Sequence, residues 1–184
     1  MAFFSAWRDK NSDLNNEKSK TASLEVKLDS LSKPKLTARI QSIALGQPQG
    51  KRGVTSFVMV VEVTNVGMPS IADQWKLKVI SKGKSHTGAL QAMPKQLVLT
   101  GLRPGERVVY TATQALYNIS VKDPIATGAK KIGVLLYFVD VPWAEATKDF
   151  EVVLTFVDVT GKECTATNLA KDKGGVFTYP GLNP

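Results

Sequence analysis

Residues 56–77, SFVMVVEVTNVGMPSIADQWKL, constrain the fold more than any other stretch of the chain. Phe57, Val58, Val60, Val61 and Val63 crowd β-branched and aromatic side chains into one run, with both alternating faces mostly apolar. A strand of that kind must be covered on one face and at least partly on the other. Asn65 and Gly67 then tolerate positive φ and Pro69 withdraws a backbone donor, so the chain turns. After the turn Trp75, Leu77 and Val79 alternate with Lys76 and Lys78, the pattern of a strand with one wet face. Trp75 is the expected core anchor.

Other stretches carry the same signals. Residues 36–45 alternate well enough to be the first strand, and residues 46–53, GQPQGKRG, turn it back into the 56–65 strand. Residues 81–88, SKGKSHTG, read as a basic loop. Residues 96–100 and 107–111 form a second hairpin about a Pro-Gly turn. Residues 113–123 suit either a helical turn or an irregular crossover. IGVLLYFV at 132–139 is a continuous apolar run, long enough for a central strand and too short for a buried helix. Residues 150–157 and 162–168, joined by DVTG, make the clearest hairpin. Seven or eight strands with regularly spaced turns predict a mainly β, antiparallel two-sheet sandwich, with an up-and-down barrel as the alternative.

Ahead of the strands, residues 12–32 change to helical periodicity. Leu14, Thr21 and Leu28 fall at one heptad position and Glu17, Leu24 and Leu31 at another. The seam is apolar only over its last turns, so Leu14, Leu24, Leu28 and Leu31 are expected either to pair with a second copy or to lie on the sandwich as a lid. The narrow apolar stripe favours a stalk. Pro34 ends the helix. MAFFSAW at the start, followed by Arg8 and Lys10, reads either as the interfacial end of a membrane segment or as a frayed terminus. The basic pair would place the helix and strands in the cytoplasm or at the cytoplasmic face of a membrane. The expected organisation is an apolar stub and helical stalk over 1–34, a sandwich over 35–169 and a loose tail over 170–184.

The chain carries a formal net charge of +8, unevenly placed. Residues 33–107 hold twelve basic and three acidic groups, and Lys51, Arg52, Lys76, Lys78, Lys82 and Lys84 form the candidate basic surface. A solvated lysine face on edge strands accounts for them as well as a polyanion site does, and no aromatics interleave with them as stacking platforms. Cys164 is the one cysteine, which excludes an intrachain disulfide and any cysteine cluster for metal. It is expected to be a small buried or edge hydrophobe. His86 is the one histidine, without a second imidazole for a metal or for paired acid–base work. Asn118-Ile-Ser120 matches the N-glycosylation acceptor pattern with no secretory signal to support it.

VEVTNVG at 61–67 with a tryptophan eight residues later, TATQALYN at 111–118, PIATGAKKIGVLLYF at 124–138 and FVDVTGKECTAT at 156–167 together resemble a group of uncharacterised bacterial proteins. That resemblance spans about residues 36–168 and implies an immunoglobulin-like sandwich, often tethered by an N-terminal membrane helix. It implies no catalytic or ligand residue.

Function is expected to be that of a non-enzymatic interaction module with a protein partner, carried near a membrane on its stalk and able to self-associate through the helix. No cofactor is expected. A nucleic-acid or polyanion binder using the basic surface is the alternative, ranked well below. An enzyme would have to draw on Asp73, Asp140, Glu145 and Asp149, the acidic residues near strand ends, in a pair about 5–10 Å apart.

Overall fold

The computed structural model of the protein describes residues 15–28, 32–48, 50–100, 107–146, 150–168 and 176–183. A helix, α1, covers residues 15–28. Ten strands come after it: β1 Leu36–Pro48, β2 Thr55–Asn65, β3 Asp73–Ser81, β4 Lys84–Leu90, β5 Gln96–Thr100, β6 Arg107–Thr111, β7 Lys130–Val139, β8 Glu151–Val157, β9 Glu163–Asn168 and β10 Val176–Asn183. A 3₁₀ turn at Ala112–Gln114 leads into α2, Leu116–Lys122, and a one-turn α3, Trp143–Ala146, precedes β8.

Mainly β with an N-terminal helix is the fold class observed. Where two separate sheets were expected, hydrogen bonding instead closes seven strands into a ring, in the order β1, β2, β7, β4, β3, β8, β9 and back to β1. The closing strand is β1. Its residues 36–46 pair antiparallel with β2, while residues 38–40 pair parallel with 166–168 of β9. A register shift between Ile40 and Ser42 then turns the strand, and its second half pairs parallel with β10. From β10 the sheet runs on through β5 to β6, a flap outside the ring.

Two apolar layers result. The ring's interior holds Ile40, Ile43, Leu45, Phe57, Met59, Val61, Val63, Trp75, Leu77, Val79, Leu135, Tyr137 and Leu154. The layer under the flap holds Ala44, Val58, Met93, Leu97, Leu99, Ala115, Val134 and Leu136. The doubly apolar 56–63 run is thereby explained: Phe57, Met59 and Val61 face the interior, while Val58 faces the flap. Each large side chain so buried contributes about 1.5–3 kcal/mol. Trp75 is the expected anchor, stacked on Phe156 with ring centroids 4.5 Å apart, its indole N–H donating to the Ala72 carbonyl at 3.2 Å. Gln74, at φ 51°, lies in the register shift between Asp73 and Lys76 that aims Trp75 inward.

Two further expectations are corrected. The basic loop at 81–88 is a two-residue turn and the strand β4: Lys82 and Gly83 both take positive φ, 49° and 73°, which matches the twist of a tight hairpin. The tail expected to be loose contributes β10, because its residues add to an edge that β1 leaves open. The 113–123 stretch takes the helical of its two expected forms, and α2 packs on β7 and β3. There the Ser120 hydroxyl is buried within 2.6 Å of both the Ala72 and Leu116 carbonyls, so the Asn118 acceptor pattern sits in packed helix.

Candidate interaction surfaces

The ring has two poles. At one, the ends of β2 and β8 meet the starts of β1, β3, β7 and β9. Asn65 organises it: the buried side chain donates to the Met68 and Ile125 carbonyls at 2.6 and 2.7 Å and accepts from the Gly67 N–H at 2.9 Å. The strap leading from α1 is laid across this turn, with Met68 N–H donating to Lys33 and Val66 N–H donating to Lys35. Gly67 is required here, since a Cβ would collide with the Lys33 carbonyl and the Lys35 nitrogen. The loop after β8 adjoins, Val159 N–H donating to the Ser70 hydroxyl at 3.2 Å. Val66, Met68 and Val159 are 47%, 44% and 56% exposed at this pole.

From this pole α1 stands away. Every one of its described residues is exposed, Leu24 at 64% and Leu28 at 70%. The lid alternative is therefore corrected: the two leucines lie on no strand. Leu14 and Leu31 fall outside the described residues.

At the opposite pole lie the β1–β2 and β3–β4 turns and α3. Lys51 and Arg52 occupy the first turn, Lys82 lies in the second with Lys84 just after it, and Lys76 and Lys78 project from the outer face of β3. The six candidate basic residues are thus divided among two turns and one strand face. Lys51 sits 4.5 Å over the Phe138 ring, and Lys82 pairs with Glu145 at 3.4 Å.

Two of the acidic candidates, Asp73 and Glu145, lie far apart. Asp73 begins β3 and Glu145 meets Lys82 beyond its end, a separation of about 25 Å along a nine-residue strand. Asp140 is exposed after β7, and Asp149 falls outside the described residues. Among the described residues no group of three or more His, Cys, Asp or Glu could hold a metal ion. His86 lies in β4 opposite Val79, and Cys164 is half-buried in β9 opposite Phe156. Burial, and then the Asp158 charge, push the Cys164 thiol up, away from a reactive thiolate.

Sequence reasoning missed three features. Asp158 caps the β8–β9 turn, accepting from Thr160 N–H at 2.8 Å, its hydroxyl at 2.6 Å and Lys162 N–H at 3.1 Å. Burial works to raise its carboxyl, but those donors and the Lys162 charge outweigh it and hold the group below its ordinary value. The Asp-x-Thr spacing of an Asx turn was the available signal. Lys131 closes the end of α2, donating to the Ile119 carbonyl at 2.9 Å and the Asp123 carboxylate at 2.7 Å. A shallow groove of about 370 Å³ opens beside it, lined by Ile119, Lys122, Asp123, Lys131 and Ile132. Nothing local in the sequence announced that pairing. The third is the apolar character of the pole, readable only once the β2–β3 and β8–β9 loops are assembled.

No protein-family model and no curated protein matches the chain. Among solved structures it is similar to an uncharacterized beta-sandwich protein from Clostridium difficile 630. The two share 11% sequence identity over 73% of this chain and 80% of that chain, with a TM-score of 0.28. At that score the likeness carries no argument about site or activity. Among the described residues no helix is long and apolar enough to cross a membrane.

Proposed function

We propose that the chain is a non-enzymatic interaction module, displayed on its N-terminal helical stalk and meeting its protein partner through the body of the ring. The observation that carries this reading is the full exposure of α1, whose Leu24 and Leu28 leave an apolar stripe with no cover from the barrel. An isolated helix of about this length is marginal in water, so a stripe of this kind gains its stability from a second helix. Lys33 and Lys35, ahead of β1, are hydrogen-bonded to the turn that Asn65 organises. A membrane-proximal setting, on the cytoplasmic side, belongs to the same proposal, supported by the apolar MAFFSAW start followed by Arg8 and Lys10. So does the immunoglobulin-like kinship with tethered bacterial proteins, which rests on the motifs at 61–67, 111–118, 124–138 and 156–167.

A polyanion site over Lys51, Arg52, Lys76, Lys78, Lys82 and Lys84 ranks below it. Two of the six are engaged with Phe138 and Glu145, and the rest spread around the wall. Light scattering at low micromolar concentration tests the stalk. The full chain is expected to be a dimer or larger, and Leu24→Asp with Leu28→Asp to be a monomer with an unchanged melting temperature. Monomers in both cases would remove the stalk reading.

A further inference from the structure

The helix α1 carries charges beside its apolar stripe, and they bear on how it pairs. With Thr21 and Leu28 at one seam position and Leu24 at the other, Lys20 and Lys27 come immediately before Thr21 and Leu28, and Glu25 comes immediately after Leu24. These are the g and e positions of the heptad, where charges meet across a two-helix seam and set its orientation. All three side chains are exposed. Thr21 is polar within the seam, but its hydroxyl donates to the Glu17 carbonyl of its own helix at 2.9 Å, so burying it leaves no donor without a partner.

Two arrangements close Leu24 and Leu28 on a second copy. In the antiparallel one, Leu24 packs against Leu28 of the other copy, and g faces g while e faces e. Glu25 then meets Glu25 and Lys27 meets Lys27, two like-charge contacts beside the two-fold axis. In the parallel, in-register one, each leucine packs against its own counterpart, and a g residue reaches the e residue five positions further on in the other helix. Lys20 then meets Glu25 of the second copy, and symmetry makes that contact twice.

We infer that α1 pairs in parallel and in register with a second copy of this chain, Lys20 and Glu25 selecting that form over the antiparallel one. The inference rests on the stalk reading above and adds its direction. Attraction in one form and repulsion in the other both act on the choice, as in other helix pairs whose partners are set by charge. Parallel pairing places the N-terminal ends of both helices together and both rings at the other end. The module is then two-headed and suits a partner that offers two copies of its binding surface, which the pair grips more tightly than one ring would.

The test uses the full chain with Cys164→Ser. Thr21→Cys in that background sets two thiols across the parallel seam. Helix axes about 8–10 Å apart, with Cα atoms about 2.3 Å from each axis, bring the facing Cα atoms inside disulfide reach. In the antiparallel form the same two positions are about 15 Å apart along the axis. With oxidised glutathione the variant is expected to form a disulfide-linked dimer about tenfold faster than Lys84→Cys, which lies beside the exposed β3–β4 turn, because pairing raises the effective thiol concentration. Charge reversal reads the direction without a thiol. Glu25→Lys is expected to weaken the dimer several-fold in light scattering, and Lys20→Glu added to it to restore the dimer, because only the parallel form joins those positions. An antiparallel pair would show neither the loss nor the rescue. A chain that is a dimer by light scattering, yet cross-links through Thr21→Cys no faster than through Lys84→Cys, would overturn the direction and leave the stalk reading standing; a monomer removes both.

Discussion

The two walls of the ring are built by opposite rules. The wall of β1, β2 and β7 is apolar on both faces about Ala44, Val58, Val134 and Leu136, where the flap layer covers its outside. The wall of β3, β4, β8 and β9 is apolar only inward; outward it shows Lys76, Lys78, Thr155 and Glu163 to water. Strands of one protein therefore read as a continuous run, SFVMVVEV or IGVLLYFV, and as an alternation, QWKLKV or EVVLTFV. The difference teaches that a continuous apolar strand here marks a wall between two cores rather than a deeper position in one.

That comparison can be broken most sharply at the interior, where both walls should behave alike. Phe57→Ala, from the covered wall, and Trp75→Ala, from the open one, are each expected to lose about 3–5 kcal/mol in denaturant unfolding, since both are buried in the shared core. A loss confined to one of them would mean that the ring is not a single packing unit. Outward positions should then separate the walls. Leu136→Ala, under the flap, is expected to cost about 2–4 kcal/mol, while Val153→Ala, half-buried on the open wall, costs less than about 1 kcal/mol. Equal costs would show that the flap does not seal its wall.

Acid sharpens the contrast at the β8–β9 turn. A carboxylate whose folded pKa is depressed adds stability that is present above its unfolded value and is lost as pH falls through the folded one. Asp158 is such a group, so stability should decline on acidification from about pH 4, its unfolded value, downward. Asp158→Asn should be less stable at neutral pH and show a shallower acid limb, read by thermal melts across pH. The smallest effect belongs to the open face itself. Lys76→Glu with Lys78→Glu is expected to shift stability by less than about 0.5 kcal/mol, because both side chains are solvated. Polyanion binding that appears at low salt and vanishes in this variant would instead raise the basic-surface reading.

The poles differ as the walls do. One gathers exposed apolar loop tips around the root of α1, and the other gathers four basic residues in two turns. Neither grouping follows from neighbours in the chain: Val159 N–H reaches the Ser70 hydroxyl across 89 residues.

Local chemistry settled much of this protein in advance. Alternation and β-branched content placed β1, β2, β3, β7 and β8, turn residues placed the β1–β2, β5–β6 and β8–β9 hairpins, and helical periodicity placed α1 over residues 15–28 with Leu24 and Leu28. Trp75 followed from a single wet-face pattern. These are properties of a few consecutive residues, so a sequence carries them unaided. Tyr137 and Val58 were readable as apolar but not as belonging to different cores. Ring closure, the flap and β10 were decided by tertiary structure, because each depends on which distant strand takes up the free hydrogen bonds of β1 and of the flap. That choice is made by how well two remote surfaces bury each other, and no local pattern in either strand records it.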